Sequence, residues 1–221
     1  MILIIKHAAH EGPGTLGEYF GNRSRTIDLG RGDRLPKTSE GIAAIISMGG
    51  PMNVYEEERY PFLKDEDLFL KDALRRAVPF IGICLGAQLL AKAAGATVVK
   101  APERETGWHA IGLTREGIAD PLFAGLEESL TVFQWHEDMF EVPAGGVLLA
   151  RSAACPHQAF RIGTNAYGLQ FHVEVTLTMI EAWLAASGDP SARRISRESP
   201  ERLRALDSRA SRIYANFNTL L

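Results

Sequence analysis

Two stretches of the sequence, Ile2-Leu3-Ile4-Ile5 and Ala44-Ile45-Ile46, are apolar at every position rather than at every second one. A strand with one wet face alternates, whereas a strand without polar positions is covered on both faces, as in the middle of a parallel sheet. β-rich runs at 2–7, 26–29, 43–48, 78–83 and 97–99 supply such strands, with helical patterns between them. Leu63, Leu70, Leu74 and Ala77 recur at helical spacing within 60–77, which predicts an amphipathic helix lying on the sheet. A second helix is expected over 85–94, ended by Gly95. This alternation predicts an α/β fold with a doubly wound, mostly parallel central sheet flanked by helices. The second half adds short strands at 112–114, 130–135, 147–150, 158–162 and 168–173, with Gly163-Thr164-Asn165-Ala166 as a hairpin loop, so extra antiparallel strands are expected.

The 221 residues suit one domain, and 46% hydrophobic with 23% charged residues is ordinary for a packed core. With 24 Lys+Arg against 27 Asp+Glu, the net charge of -3 leaves no footprint for nucleic acid or an anionic membrane. No apolar run approaches the ~20 residues that span a bilayer. Two cysteines, Cys84 and Cys155, cannot build a disulfide framework, which points to a reducing cytoplasm. Composition changes in the last stretch, where 189–221 carries seven arginines, no lysine and four acidic residues. Leu203, Leu206, Ala210, Ile213 and Phe217 are spaced as an amphipathic stripe. The expected division is a domain over 1–187 and an Arg-rich helical extension over 188–221, docked on the body or forming a homodimer contact.

Chemistry concentrates in Val78-Pro79-Phe80-Ile81-Gly82-Ile83-Cys84-Leu85-Gly86-Ala87-Gln88. An apolar strand runs into Gly-x-Cys-x-Gly and a helix follows at once, the arrangement of a nucleophile elbow with cysteine in place of serine. The sharp turn strains the nucleophile's backbone, the flanking glycines allow close approach of neighbouring chain, and the helix N-terminus favours thiolate. Cys155 lacks this context and reads as structural. A thiol nucleophile needs an acid–base partner and a group to orient it. Of six histidines, His172 in Gln170-Phe171-His172-Val173-Glu174 is best placed, because residues i and i+2 of an extended segment share a side and bring Glu174 beside it. Ser47-Met48-Gly49-Gly50-Pro51 closes the third strand, where backbone N–H groups can face a developing oxyanion.

Together these three pieces resemble the class I, triad-type glutamine amidotransferases, over about residues 2–184, and the likeness is to the subgroup similar to the amidotransferase domain of GMP synthase. The resemblance implies a flavodoxin-like fold and a triad of Cys84, His172 and Glu174. It also implies an oxyanion hole from the backbone of Gly50 and Leu85, and substrate contacts from Gln88 and from Gln134, Trp135 and His136, the last three in a loop. The substrate would be glutamine or another γ-glutamyl compound, with no cofactor and no metal. Two departures stand out: Val173 follows His172 where the family commonly has proline, and Glu137 replaces a common glycine.

Other signals lead nowhere. Gly12-Pro13-Gly14-Thr15-Leu16-Gly17 spells a dinucleotide fingerprint, but five residues separate it from the first strand and Pro13 removes a donor from the cradle. Arg31-Gly32-Asp33 and the Asn22-Arg23-Ser24 sequon carry no argument. There is no G-x-x-x-x-G-K-[ST] loop for ATP. The expected activity is therefore glutamine hydrolysis through a cysteine thioester, releasing ammonia to a separate synthetase subunit. The alternatives are a stand-alone γ-glutamyl peptide or γ-glutamyl amine hydrolase and, from another class, a non-catalytic binding module.

Overall fold

The computed structural model describes all 221 residues. In chain order the elements are β1 (Ile2–Lys6), α1 (Gly14–Phe20), β2 (Ser24–Asp28), β3 (Ala44–Ser47), α2 (Phe62–Arg75), β4 (Phe80–Ile83), α3 (Leu85–Ala93), β5 (Val98–Leu113), α4 (Arg115–Ile118), β6 (Ser129–Phe140), β7 (Val147–Arg151), β8 (Ala159–Ile162), β9 (Ala166–Leu169), α5 (Leu177–Ser187) and α6 (Ala192–Asn218). They form one nine-stranded sheet in the order β2-β1-β3-β4-β9-β8-β7-β5-β6. Strands β2, β1, β3, β4 and β9 run parallel, and the remaining pairings are antiparallel.

The unbroken apolar strands are covered on both faces, as their composition requires. Ile2 and Ile4 of β1 pack into a core shared with α1, α5 and α6, while Leu3 and Ile5 pack into a second core under α2 and α3. The stripe Leu203, Leu206, Ala210, Ile213 and Phe217 is buried in the first core, so α6 is docked on its own chain and the stripe is not free to form a homodimer contact. Each such large side chain contributes ~1.5–3 kcal/mol by leaving water.

The antiparallel half departs from the sequence expectation. Segments 97–99 and 112–114 are the two ends of β5, which pairs with β6 and shifts register between Lys100 and Glu105. Residues 102–104, to which the sequence pattern assigns no element, lie within β5, with Pro102, Glu103 and Arg104 exposed. Strand β6 likewise continues past Trp135 to Phe140, so Trp135, His136 and Asp138 are strand residues paired with Thr106, Glu105 and Lys100 and not a loop. Strand β9 ends at Leu169, three residues before His172. No helix is long and apolar enough to cross a membrane.

Candidate active site

Cys84 occupies the turn between β4 and α3 at φ 52°, ψ −107°, one of two non-glycine residues with positive φ. The neighbouring glycines are required sterically. A Cβ at Gly82 would lie 2.4 Å from Gly86 O, and one at Gly86 would lie 2.1 Å from Ser47 O. Cys84 N donates to Leu169 O at 2.8 Å, tying the turn to β9. Of the opening N–H groups of α3, that of Gly86 donates to Met48 O, and those of Ala87 and Gln88 donate to Cys84 O. Leu85 N–H is the first of the helix and finds no partner within it. Gly50 N–H also donates to no group of the chain.

His172 lies just beyond β9, where its N–H donates to Phe133 O at 2.8 Å. Its Nδ1 meets Glu174 Oε1 at 2.7 Å, and Glu174 Oε2 accepts from Val173 N at 3.0 Å. Both side chains are buried. The i, i+2 reading paired the right residues, although the backbone here has left the strand. Trp183 of α5 stands edge-on to the imidazole at 5.0 Å between centroids. Burial pulls the His172 pKa down, but the Glu174 charge and hydrogen bond, with the nearby Cys84, outweigh it and hold the value well above the usual range. With Nδ1 committed to Glu174, Nε2 is the nitrogen left for the thiol. The segment is braced from outside: Tyr214 of α6 donates to Val173 O at 3.0 Å, and Thr15 N donates to Glu174 O at 3.0 Å.

A cleft of about 230 Å³ opens over Cys84, lined by Gly50, Leu85, Gln88, Trp135 and His136 among others. That is below the ~300–1,000 Å³ of sites for drug-sized ligands and suits a molecule the size of an amino acid. Gln88 Nε2 is spent on Asp138 O and Gln170 Oε1, each at 3.1 Å, which leaves its amide oxygen for the cleft. The Cys84 sulfur faces Trp135 O at 3.9 Å. Gln134 is placed otherwise than expected: it is fully buried, donates to Gln158 Oε1 at 2.8 Å and does not line the cleft. Sequence reasoning missed Glu11, Arg104 and Asp138, which do line it. Glu11 adjoins Gly12 and Arg104 stands between Glu103 and Glu105, in segments to which the sequence pattern assigns no element, so nothing set them apart. Burial raises the Glu11 pKa, an effect tempered by the charges of His172 and His7.

A second Cys/His/Glu cluster lies close by. Ligand atoms of Glu105, His136 and Cys155 fall within 4.8 Å of one another, the spacing of a metal site. The cluster is already saturated with hydrogen bonds. Glu105 accepts from His136 Nε2, Ser152 Oγ and Gln158 Nε2, and His136 Nδ1 donates to Asp138 O at 3.0 Å. Cys155 is fully buried, and burial pushes its thiol pKa up to about 11. Both ring nitrogens and both carboxylate oxygens of the cluster already have hydrogen-bond partners, and Cys155 is off the cleft.

A parallel sheet turning into a helix at a strained cysteine, with a histidine–glutamate pair behind it, defines an α/β protein with a thiol site at the carboxyl end of its strands. The family model for class I glutamine amidotransferases matches residues 19–186, and the chain belongs to that family. It is 33% identical over 189 residues to the glutamine amidotransferase-like protein YfeJ of Salmonella typhimurium, covering 83% of this chain and 79% of YfeJ. It is 40% identical over 138 residues to GMP synthase (glutamine-hydrolyzing) of Thermosipho africanus, covering 62% of this chain but only 25% of the synthase. Among solved structures, a glutamine amidotransferase of Methylobacillus flagellatus superposes with a TM-score of 0.91 at 30% identity, covering all of this chain and 94% of the other. One from Thermotoga maritima gives 0.88 at 30% identity, covering 98% and 96%. Helix α6, which had no evident counterpart in the sequence, falls within the first of these superpositions.

Proposed function

We propose that the chain hydrolyses the side-chain amide of glutamine through a thioester on Cys84. The observation that carries this reading is the His172 imidazole, fixed by Glu174 at Nδ1 and packed against the same Gly49 turn as Cys84. In the proposed cycle His172 Nε2 takes the thiol proton as sulfur attacks the γ-carbonyl carbon. The N–H groups of Gly50 and Leu85 hold the oxyanion, an interaction worth ~2.7–4 kcal/mol of barrier per donor. The intermediate collapses as His172 returns that proton to the nitrogen, the C–N bond breaks and ammonia leaves. Water, deprotonated by His172, then attacks the thioester, and glutamate departs as the thiol is restored. Gln88, with the edge of β6 at Trp135 and His136, would seat the amino-acid end of the substrate. Arg104, paired with Glu137 and Asp189, and Asp138, paired with Lys100 and bonded by Tyr55, are the charged groups of the cleft that would face the substrate's carboxylate and ammonium.

The catalytic unit in this proposal is 1–187, with 188–221 as its extension. The ammonia would pass to a separate synthetase, since glutamine-using domains of this kind work with such partners and the chain spans only a quarter of the GMP synthase it resembles. The test is glutaminase assay and labelling of Cys84 by a glutamine-mimicking electrophile, with and without candidate acceptors. Cys84→Ala should abolish ammonia release and labelling while the protein stays folded; ammonia release from that variant would overturn the assignment.

A further inference from the structure

Beneath the Gly49-Gly50 turn lies a histidine–glutamate pair that the proposed cycle does not use. His7 follows β1 and Glu66 lies on α2, and both side chains are wholly out of solvent. His7 Nε2 meets Glu66 Oε2 at 2.8 Å, His7 Nδ1 meets Gly49 O at 3.0 Å, and Glu66 Oε1 accepts from Ser47 Oγ at 2.8 Å. A backbone carbonyl only accepts, so Nδ1 carries a proton; an ionised carboxylate only accepts, so Nε2 carries one as well. Burial opposes that charge, but the Glu66 carboxylate and the Gly49 carbonyl outweigh it and raise the His7 pKa. The pair ties β1, the end of β3 and α2 together under the turn, with Nδ1 donating to the Gly49 carbonyl.

The consequence is geometric. In a trans peptide the carbonyl and the following N–H point in opposite directions, and the chain has no cis bond. Holding Gly49 O against His7 therefore aims Gly50 N–H away from His7. Sulfur and imidazole stand close to the same turn, because a Cβ at Gly49 would lie 3.2 Å from His172 Cε1 and 3.7 Å from Cys84 Cβ. Two consecutive glycines allow this peptide to rotate at little cost, so something must select its orientation. We infer that His7 is a positioning residue, which through Nδ1 holds the 49–50 peptide with Gly50 N–H presented to the reacting carbonyl, while Glu66 and Ser47 hold His7. The inference rests on the proposed reading of Gly50 N–H as an oxyanion donor.

Replacing a buried ion pair with apolar residues of similar volume is often neutral for stability, so His7→Leu/Glu66→Met removes the donor with the fold kept. The expected result is a fall of ~10²–10³ in kcat with KM unchanged, the loss typical of one oxyanion donor. Affinity for the aldehyde analogue of glutamine, whose adduct with the Cys84 sulfur places an oxygen in the same hole, should fall by the same factor. Alkylation of Cys84 by iodoacetamide, which forms no oxyanion, should keep its wild-type rate. Glu66→Gln, which leaves the Nδ1 donor in place, should retain most activity. Wild-type kcat and aldehyde affinity in the double variant would overturn the inference, as would alkylation falling in step with kcat. Nitrogen NMR of the wild-type protein tests it without any variant, since an unprotonated His7 Nδ1 near neutral pH would also overturn it. A wild-type protein that neither hydrolyses glutamine nor binds the aldehyde would instead overturn the thioester reading, with the NMR result still deciding the state of His7.

Discussion

The backbone at Cys84 makes a prediction about stability that is independent of any substrate. At φ 52°, ψ −107° a side chain is held in a sparsely populated conformation, with a strain of ~1–3 kcal/mol. Cys84→Ala removes the sulfur but keeps Cβ and the strain. Cys84→Gly removes both and gives back ~0.4–1 kcal/mol through the greater freedom of the unfolded chain. Glycine should therefore be more stable than alanine by about 1–2 kcal/mol. For a chain of this size that difference is worth ~2–8 °C in Tm. Thermal unfolding of the two variants side by side measures it directly. Ala77, at φ 51° in the turn that ends α2, is the control, because Ala77→Gly should also stabilise the protein but leave activity untouched. If Cys84→Gly is no more stable than Cys84→Ala, the elbow stores no strain and the argument fails.

The Glu174 charge opposes burial at His172, so Glu174→Gln should lower kcat by up to ~10⁴-fold, as when a triad carboxylate becomes an amide. The sign of the linked stability follows from a folded pKa above the unfolded value: the contribution is complete below about pH 6.5 and is lost as pH rises through the folded pKa. Tm of the wild type should accordingly decline on the alkaline side, with a shallower decline in Glu174→Gln; parallel curves would show that the pair is not coupled. Tyr214→Phe leaves Val173 O unsatisfied, which should cost ~1–3 kcal/mol of stability. It should also lower kcat with little change in KM, whereas an unchanged kcat would reduce α6 to packing alone. Glu11 faces the cleft near His172, so a departing amine that bears its own carboxylate meets a like charge. Glu11→Gln should raise kcat/KM for γ-glutamyl amino acids relative to glutamine by roughly tenfold, the mid-range of a charge pair ~6 Å apart at the surface; an unaltered ratio would place the leaving group elsewhere.

The parts of the fold that could be read in the sequence are those whose cause is local. Ile2–Ile5 and Ala44–Ile46 are buried on both faces, and their lack of alternation says so at once. The stripe of α6 and the glycines around Cys84 are equally direct, since each residue's neighbours in sequence are also its neighbours in space. The antiparallel half is different. Pro102-Glu103-Arg104 is carried inside β5 as an irregularity between two stretches that pair with β6, a cause 30 or so residues away along the chain. The same distant pairing makes Trp135, His136 and Asp138 strand residues, and no local pattern announces that this strand continues.

Two sets of cysteine, histidine and glutamate stand in one small region, and their difference shows what makes a nucleophile here. Cys155, His136 and Glu105 lie within hydrogen-bonding and van der Waals reach, yet every polar atom among them is spoken for, and burial leaves the thiol harder to ionise. Cys84, His172 and Glu174 are no closer to ideal in composition. What separates them is that the strained turn pushes the sulfur into an open cleft, beside backbone N–H groups that donate to nothing else in the chain. In the proposed mechanism reactivity thus comes from backbone donors left unspent, and the sequence marks their place through the glycines that keep side chains out of it: Gly49, Gly50, Gly82 and Gly86.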